Sequence, residues 1–205
     1  HITDEIKERI YRLGRDSDAE VVITEIGGTI GDLEIGPYVE AIRQMAMEVG
    51  RENTLFIHVS LIYALPGGEN KSKPTQHSIR KLQESAIQPD LLICRTSNPM
   101  EEGLRKKIAL LCNINEEYII EGRDTSMIDE IPLNFERQGV AHLVIKKLRL
   151  EDHPPNNAEW AAMVKKLKNP KHHTRIAIVG KYTTGVDSYL SVQEALKHGG
   201  IANDA

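Results

Sequence analysis

The chain has 205 residues, 40% of them hydrophobic and 27% charged, which is ordinary for a soluble globular protein and enough for one domain plus part of another. Lys and Arg number 26 against 30 Asp and Glu, a net charge of −4, which argues against a nucleic-acid-coating protein and leaves room for a local basic pocket. No apolar run approaches the ~20 residues of a membrane span, no signal peptide is evident, and the two cysteines (Cys94 and Cys112, both in apolar runs) read as buried thiols in a reducing, cytoplasmic setting.

The chain opens on His1 without an initiator Met, directly before a helix signal, and reads as a piece of a longer protein. Thr3, Asp4 and Glu5 start a helix with Ile6, Ile10 and Leu13 on one face. VVIT at 21–24 reads as a short buried strand ending in Glu25, and EIGGTIGDLE at 25–34 as a loop. Pro37 opens a helix carrying Tyr38, Ile42, Met45 and Val49. TLFIHVSLI at 54–62 is a second strand. GGENKSKPTQHSIR at 67–80 follows, a glycine-loosened lysine loop running into a helix. DLLIC at 90–94 is a third strand, Leu104, Ile108 and Leu111 mark another helix, and YIIE at 118–121 a short strand. Alternating strands and helices with near-continuous apolar strands predict an α/β fold, a mostly parallel sheet with flanking helices. Ligands of such sheets bind beyond the carboxyl ends of the strands. Glu25, the lysine loop and Arg95 are all expected on that rim.

The composition changes after Leu150. EDHPPNN reads as a connector, Trp160, Met163, Val164 and Leu167 as a short amphipathic helix, and NPKHH as a second break. TRIAIVGKY then restarts as a strand, and a helix from Ser188 to His198 is expected to stop at Gly199 and Gly200. Three parts follow: residues 1–150, a linker at 151–173, and an incomplete unit at 174–205.

Four constellations carry possible chemistry. Glu25 ends an apolar segment, where a carboxylate of a nucleotide-binding α/β protein commonly holds Mg²⁺. Three glycines and three acids (Glu25, Asp32 and Glu34) crowd ten residues there, although a glycine-rich turn with solvated acids reads the same way. Lys71 and Lys73 sit where a helix begins, and helix N-termini and ammonium groups both attract phosphate. Thr75 is a candidate cap, Gln76 a candidate reader of a base or sugar, and His77 a packing or capping residue. Lys107 borders the apolar stripe of its helix and is as easily solvated as pocket-reaching. Asp124, Thr125 and Ser126 read first as turn or cap residues. The eight histidines form no zinc pattern.

Taken together, EIGGTIGDLE, PYVEAIRQ, GGENKSKPTQHS, QPDLLICR, RKKIALLCNI and VGKY…SVQEALKHGG resemble, in order and spacing, the CTP synthase family. The resemblance runs along the whole chain and is weakest at 150–173. It implies a P-loop NTPase-like synthetase (amidoligase) domain, of which the C-terminal part is expected here, then the linker and the first βα unit of a class I glutamine amidotransferase domain. It implies ATP-dependent amination of UTP to CTP, a carbon–nitrogen ligase reaction fed by ammonia from glutamine, with Mg²⁺ as cofactor, GTP as activator and a homotetramer as the assembly. By position, Lys71, Ser72, Lys73, Pro74, Thr75, Gln76 and Lys107 resemble UTP and CTP contacts, with Ser72 where Thr is frequent. Asp32, Leu33 and Glu34 resemble CTP contacts. Arg123, Asp124 and Thr125 resemble ATP contacts, with Arg123 where Lys is common. Glu25 resembles a Mg²⁺ ligand. The family's P-loop, its second Mg²⁺ carboxylate and its Cys-His-Glu triad have no counterpart in these residues, so no catalytic residue is assigned and the chain alone is expected to make no CTP. A non-catalytic pyrimidine-nucleotide-binding module, or an ATPase related to dethiobiotin synthetase, are the alternative readings.

Overall fold

The computed structural model describes residues 1–204 except 183, 184 and 186; Ala205, the last residue of the expected third part, lies outside them. The chain forms two compact units, His1–His153 and Pro154–Ala205.

The first unit begins with α1 (Ile2–Ser17) and α2 (Gly36–Val49). The helix start falls at Ile2 rather than Thr3, and the amino group of His1 pairs with Asp4 at 3.3 Å. α1 is tied to α2 by Lys7 and Tyr11, which reach the Glu48 carboxylate at 2.5 and 2.7 Å. Between them the expected strand at 21–24 does not form. A strand exists only as a paired ladder, and this segment has no partner strand among the described residues; Ile23 stands 89% exposed.

β1 (Ile57–Leu61), β4 (Leu91–Thr96) and β5 (Ile119–Arg123) make a parallel sheet in the order β1-β4-β5, with a β2–β3 hairpin (Tyr63–Ala64, Asn70–Lys71) beyond β1. Ile57 pairs with Leu91, and Leu92 with Ile119. Parallel neighbours need long crossovers, and α3 (Lys73–Glu84) and α4 (Glu102–Cys112) supply them. Period-two burial puts Leu92 and Cys94 on the face beneath these helices, in a core with Ile62, Ile79, Ile108 and Ile119. Leu91 and Ile120 point to the other face, against Leu143. That face is covered by α5 (Ile131–Arg137) and α6 (Val140–Leu148), two helices the sequence reading did not anticipate. The cover stops short of β1, so Ile57, Val59 and Leu61 remain roughly half exposed along the outer edge. A third cluster, Ile35, Val39, Leu82 and Ile87, packs α2 against α3 and takes in Ile26 and Ile30 from the glycine-rich segment.

The second unit contains α7 (Ala158–Lys168) and α8 (Leu190–Ala202) and, among its described residues, no strand. The expected strand at 174–182 is therefore corrected to irregular backbone, again for want of a ladder partner. α8 also runs through Gly199 and Gly200 to Ala202. Glycine permits a left-handed exit from a helix without compelling one. No helix among the described residues is long and apolar enough to cross a membrane.

Candidate nucleotide rim

The carboxyl end of the sheet is built from three successive strand ends. After β1 the chain makes the β2–β3 hairpin, whose turn uses Gly67 and Gly68 at φ 104° and 91°, backbone that L side chains rarely adopt. Hydrogen bonds from Gly68 N–H to the Leu65 carbonyl and from Leu65 N–H to the Glu69 carbonyl, both 2.9 Å, close it. Asn98 and Asn70 then staple hairpin to β4 loop: Asn98 Nδ2 donates to the Gly68 carbonyl (3.3 Å) and Asn70 Nδ2 to the Pro99 carbonyl (3.0 Å). The lysine loop is thus held on the rim.

Within it the residues divide by exposure. Ser72, Thr75 and Gln76 are buried. Gln76 Nε2 donates to Ser72 Oγ at 2.9 Å, and Thr75 Oγ1 donates to the Leu61 carbonyl while accepting from Ser60 Oγ. Their polar side-chain atoms frame the loop. Lys71 and Lys73 are exposed. Lys71 pairs with Glu69. Lys73 makes no ion pair among the described residues and opens α3, with Pro74 in the first turn and Ser72 at the N-cap without a side-chain capping bond. The first N–H groups of a helix have no intrahelical acceptor and carry its positive dipole end. Lys73 therefore adds a free ammonium to an already electropositive helix start.

At the ends of β4 and β5, Asp124 is the hub. It accepts from Ser97 Oγ at 2.9 Å and from the Arg95 guanidinium at 3.2 Å, while its own N–H donates to the Thr96 carbonyl. The Ser97 hydrogen bond first, then Arg95, holds its carboxyl below the ordinary range. Arg123 is exposed. Thr125 is half-buried, donating to Glu130 at 2.8 Å and accepting the Met127 N–H at 3.2 Å, as a turn residue does.

The other expected residues lie on separate elements. Asp32, Leu33 and Glu34 are exposed, but their segment is anchored elsewhere: Gly31 lies against the aliphatic stem of Lys81. Lys81 is eight residues beyond Lys73, about 12 Å along α3. Lys107 is exposed midway along α4, about 8 Å from the helix start. Glu25 is exposed, its carboxylate bent over Gly27. Among the described residues no three His, Cys, Asp or Glu gather to hold a metal.

Two positioning groups carried no sequence signal. Ser97 is one more hydroxyl in a turn until Asp124 is brought beside it. Gln138 caps the free edge of β5, its Oε1 accepting the Glu121 N–H (2.8 Å) and its Nε2 donating to the Glu121 carbonyl (2.9 Å).

A parallel sheet flanked by helices, with a cationic helix start at its carboxyl end, fits the class of α/β synthetase domains. Residues 1–150 match the family model for the CTP synthase N-terminus. The CTP synthase of Caldanaerobacter subterraneus subsp. tengcongensis is 53% identical over 202 residues, 98% of this chain and 38% of that protein. That of Methanococcus maripaludis is 50% identical over 205 residues, 100% of this chain and 38% of its own. The chain belongs to the CTP synthase family and spans under two fifths of the length of these relatives. The matched region is the N-terminal one, which corrects the expectation of a C-terminal part of the synthetase domain.

Proposed function

We propose that this chain furnishes part of the pyrimidine-nucleotide site of a ligase that aminates UTP to CTP with ATP. The observation that carries the reading is Lys73, exposed and without an ion-pair partner among the described residues, at the start of α3 on the carboxyl rim. Phosphoryl-transfer sites work mainly by positioning and charge neutralisation. Lys71 and Lys73 hold the triphosphate common to UTP and CTP, and the Ser72–Gln76 and Thr75–Leu61 bonds keep both ammonium groups in place. Lys107 contributes to the same nucleotide, and Asp32, Leu33 and Glu34 to CTP, with copies of the chain in a homotetramer bringing them together. Arg123, Asp124 and Thr125 border the ATP. Glu25 is the protein ligand for Mg²⁺, which neutralises phosphate charge when bound.

On the resemblance, residues 174–205 open a glutamine amidotransferase domain that supplies ammonia, with GTP as activator, in the cytoplasm. The 205-residue chain by itself forms no CTP from UTP, ATP and ammonia. Calorimetric titration tests the site: Lys73→Ala is expected to weaken UTP and CTP alike by about tenfold, the loss of one charge-assisted phosphate contact. Unchanged affinity for both would remove the lysine loop from the site.

A further inference from the structure

We propose that the opposite, amino-terminal end of the sheet carries a second ligand site, for a small anion bearing an apolar or aryl group. The site lies at the start of β4, whose six residues separate it from the rim by about 16 Å. It is independent of the nucleotide reading.

Two adjoining hollows make it. One is a mainly apolar slot of about 140 Å³ walled by Leu55, Leu91, Leu143, Val144 and Tyr118, with the Asp90–Lys147 ion pair at its polar side. That is close to the cavity size known to take a benzene ring. The other is an open groove of about 380 Å³ lined by Arg51, Lys146, Lys147 and Arg149, with Glu52 its only acid. Tyr118 and Lys147 belong to both, so one ligand can occupy them together.

The charges do not balance. Asp90, 12% exposed, accepts both Arg51 (3.0 Å) and Lys147 (2.8 Å) as well as the Phe56 N–H (2.8 Å). Two cations therefore share one carboxylate, and they are fixed in place by it. Lys146 and Arg149 make no ion pair among the described residues. The Glu52 carboxylate is folded back over Gly50. The groove thus holds preset, undercompensated cations beside a small apolar wall, which is complementary to an anionic head joined to a compact apolar body.

Arg149 adds a second sign. It ends α6 in the left-handed conformation, φ 55°, a position that favours Gly or Asn. The helix C-terminus favours a cation there, and the same guanidinium lines the groove.

The test uses phenyl phosphate on the 205-residue chain, followed by calorimetry and by amide chemical shifts. Phenyl phosphate should bind about tenfold more tightly than inorganic phosphate, because the ring leaves water. The shifts should centre on Tyr118, Val144 and Arg149. Arg149→Gly should weaken phenyl phosphate about tenfold while leaving the thermal midpoint unchanged or higher, since glycine accepts that backbone freely. Val144→Trp, which fills the slot, should abolish the advantage of the ring but retain phosphate binding. Equal affinity for the two phosphates, an unaltered Arg149→Gly, or shifts centred on residues 71–76 would each overturn the site.

Discussion

Thr75 donates its hydroxyl proton to the carbonyl of Leu61 at 3.1 Å, tying the first turn of α3 to the last residue of β1. The same oxygen accepts from Ser60 at 3.2 Å, so one buried atom serves both strand and helix. Thr75→Val keeps the shape but removes the donor to the Leu61 carbonyl and the acceptor for Ser60. We expect a loss of about 1–3 kcal/mol, read as a lower urea midpoint with unchanged slope. Thr75→Ser, which keeps the hydroxyl, should recover most of it.

The pairing of Lys71 with Glu69 gives a second expectation. Glu69 competes with phosphate for the ammonium group. Glu69→Gln should tighten UTP and CTP binding severalfold at low salt, and the gain should fade as ionic strength rises. Titration at two salt concentrations checks it; a gain that persists at high salt would point to a different cause.

Gln138 offers a contrast between two substitutions. Gln138→Leu removes both bonds to Glu121 and should cost about 1–3 kcal/mol, since it leaves a part-buried N–H and C=O without partners. Gln138→Glu keeps an acceptor for the N–H and loses only the donor, so its loss should be smaller. Hydrogen exchange at the Glu121 amide should quicken in the first and not in the second.

His58 is buried and shares a 2.8 Å hydrogen bond between its Nε2 and Ser78 Oγ. Burial lowers its pKa below the ordinary 6.5. The unfolded chain thus binds a proton at higher pH than the folded one does. The contribution of neutral His58 to stability is complete above pH ~6.5 and is lost as pH falls from there through the folded value. Urea unfolding between pH 8 and 5 should show that decline, and His58→Gln should flatten it.

The thiols give the last expectation. Cys94 is fully buried and its thiol is pushed up to about 12, chiefly by desolvation; burial raises Cys112 as well. Only a thiolate is nucleophilic. At pH 8 iodoacetamide should leave both cysteines unmodified in the folded chain and alkylate both in denaturant. Rapid labelling of the native protein would contradict the burial.

Much of this was legible in the sequence because long apolar patterns dictate their own partners. The runs around Leu92 and Ile120 read as buried strands and are, and Ile79 with Leu82 read as an inner helix face and is. The expected buried strand at 54–62 forms but buries only its His58 and Ser60 face, and on α4 Ile108 faces in as expected while Leu111 is exposed and Cys112 is buried instead. VVIT carried the same composition and formed no strand, because a ladder is a property of two segments. The glycines at 199 and 200 failed as a stop for a related reason: they leave the choice of backbone to their surroundings. α5 and α6 had signals that were passed over, Pro132 in a first turn and the spacing of Val140, Leu143 and Val144. The rim was half legible. Charge at Lys71 and Lys73 could be read directly, but which polar side chains face a ligand and which frame the loop depends on Leu61, Ser60 and Asp124, residues distant in sequence. The packing of Gly31 on the Lys81 stem is likewise a contact that spacing does not encode.

The outer edge of β1 governs how this polypeptide behaves in a tube. Ile57, Val59 and Leu61 present a half-exposed apolar row beside a line of unpaired backbone groups. Such an edge recruits any extended segment that diffuses past it. Concentrated stocks are therefore expected to associate through this strand, and Val59→Lys, which puts a charge on its exposed face, should slow that association.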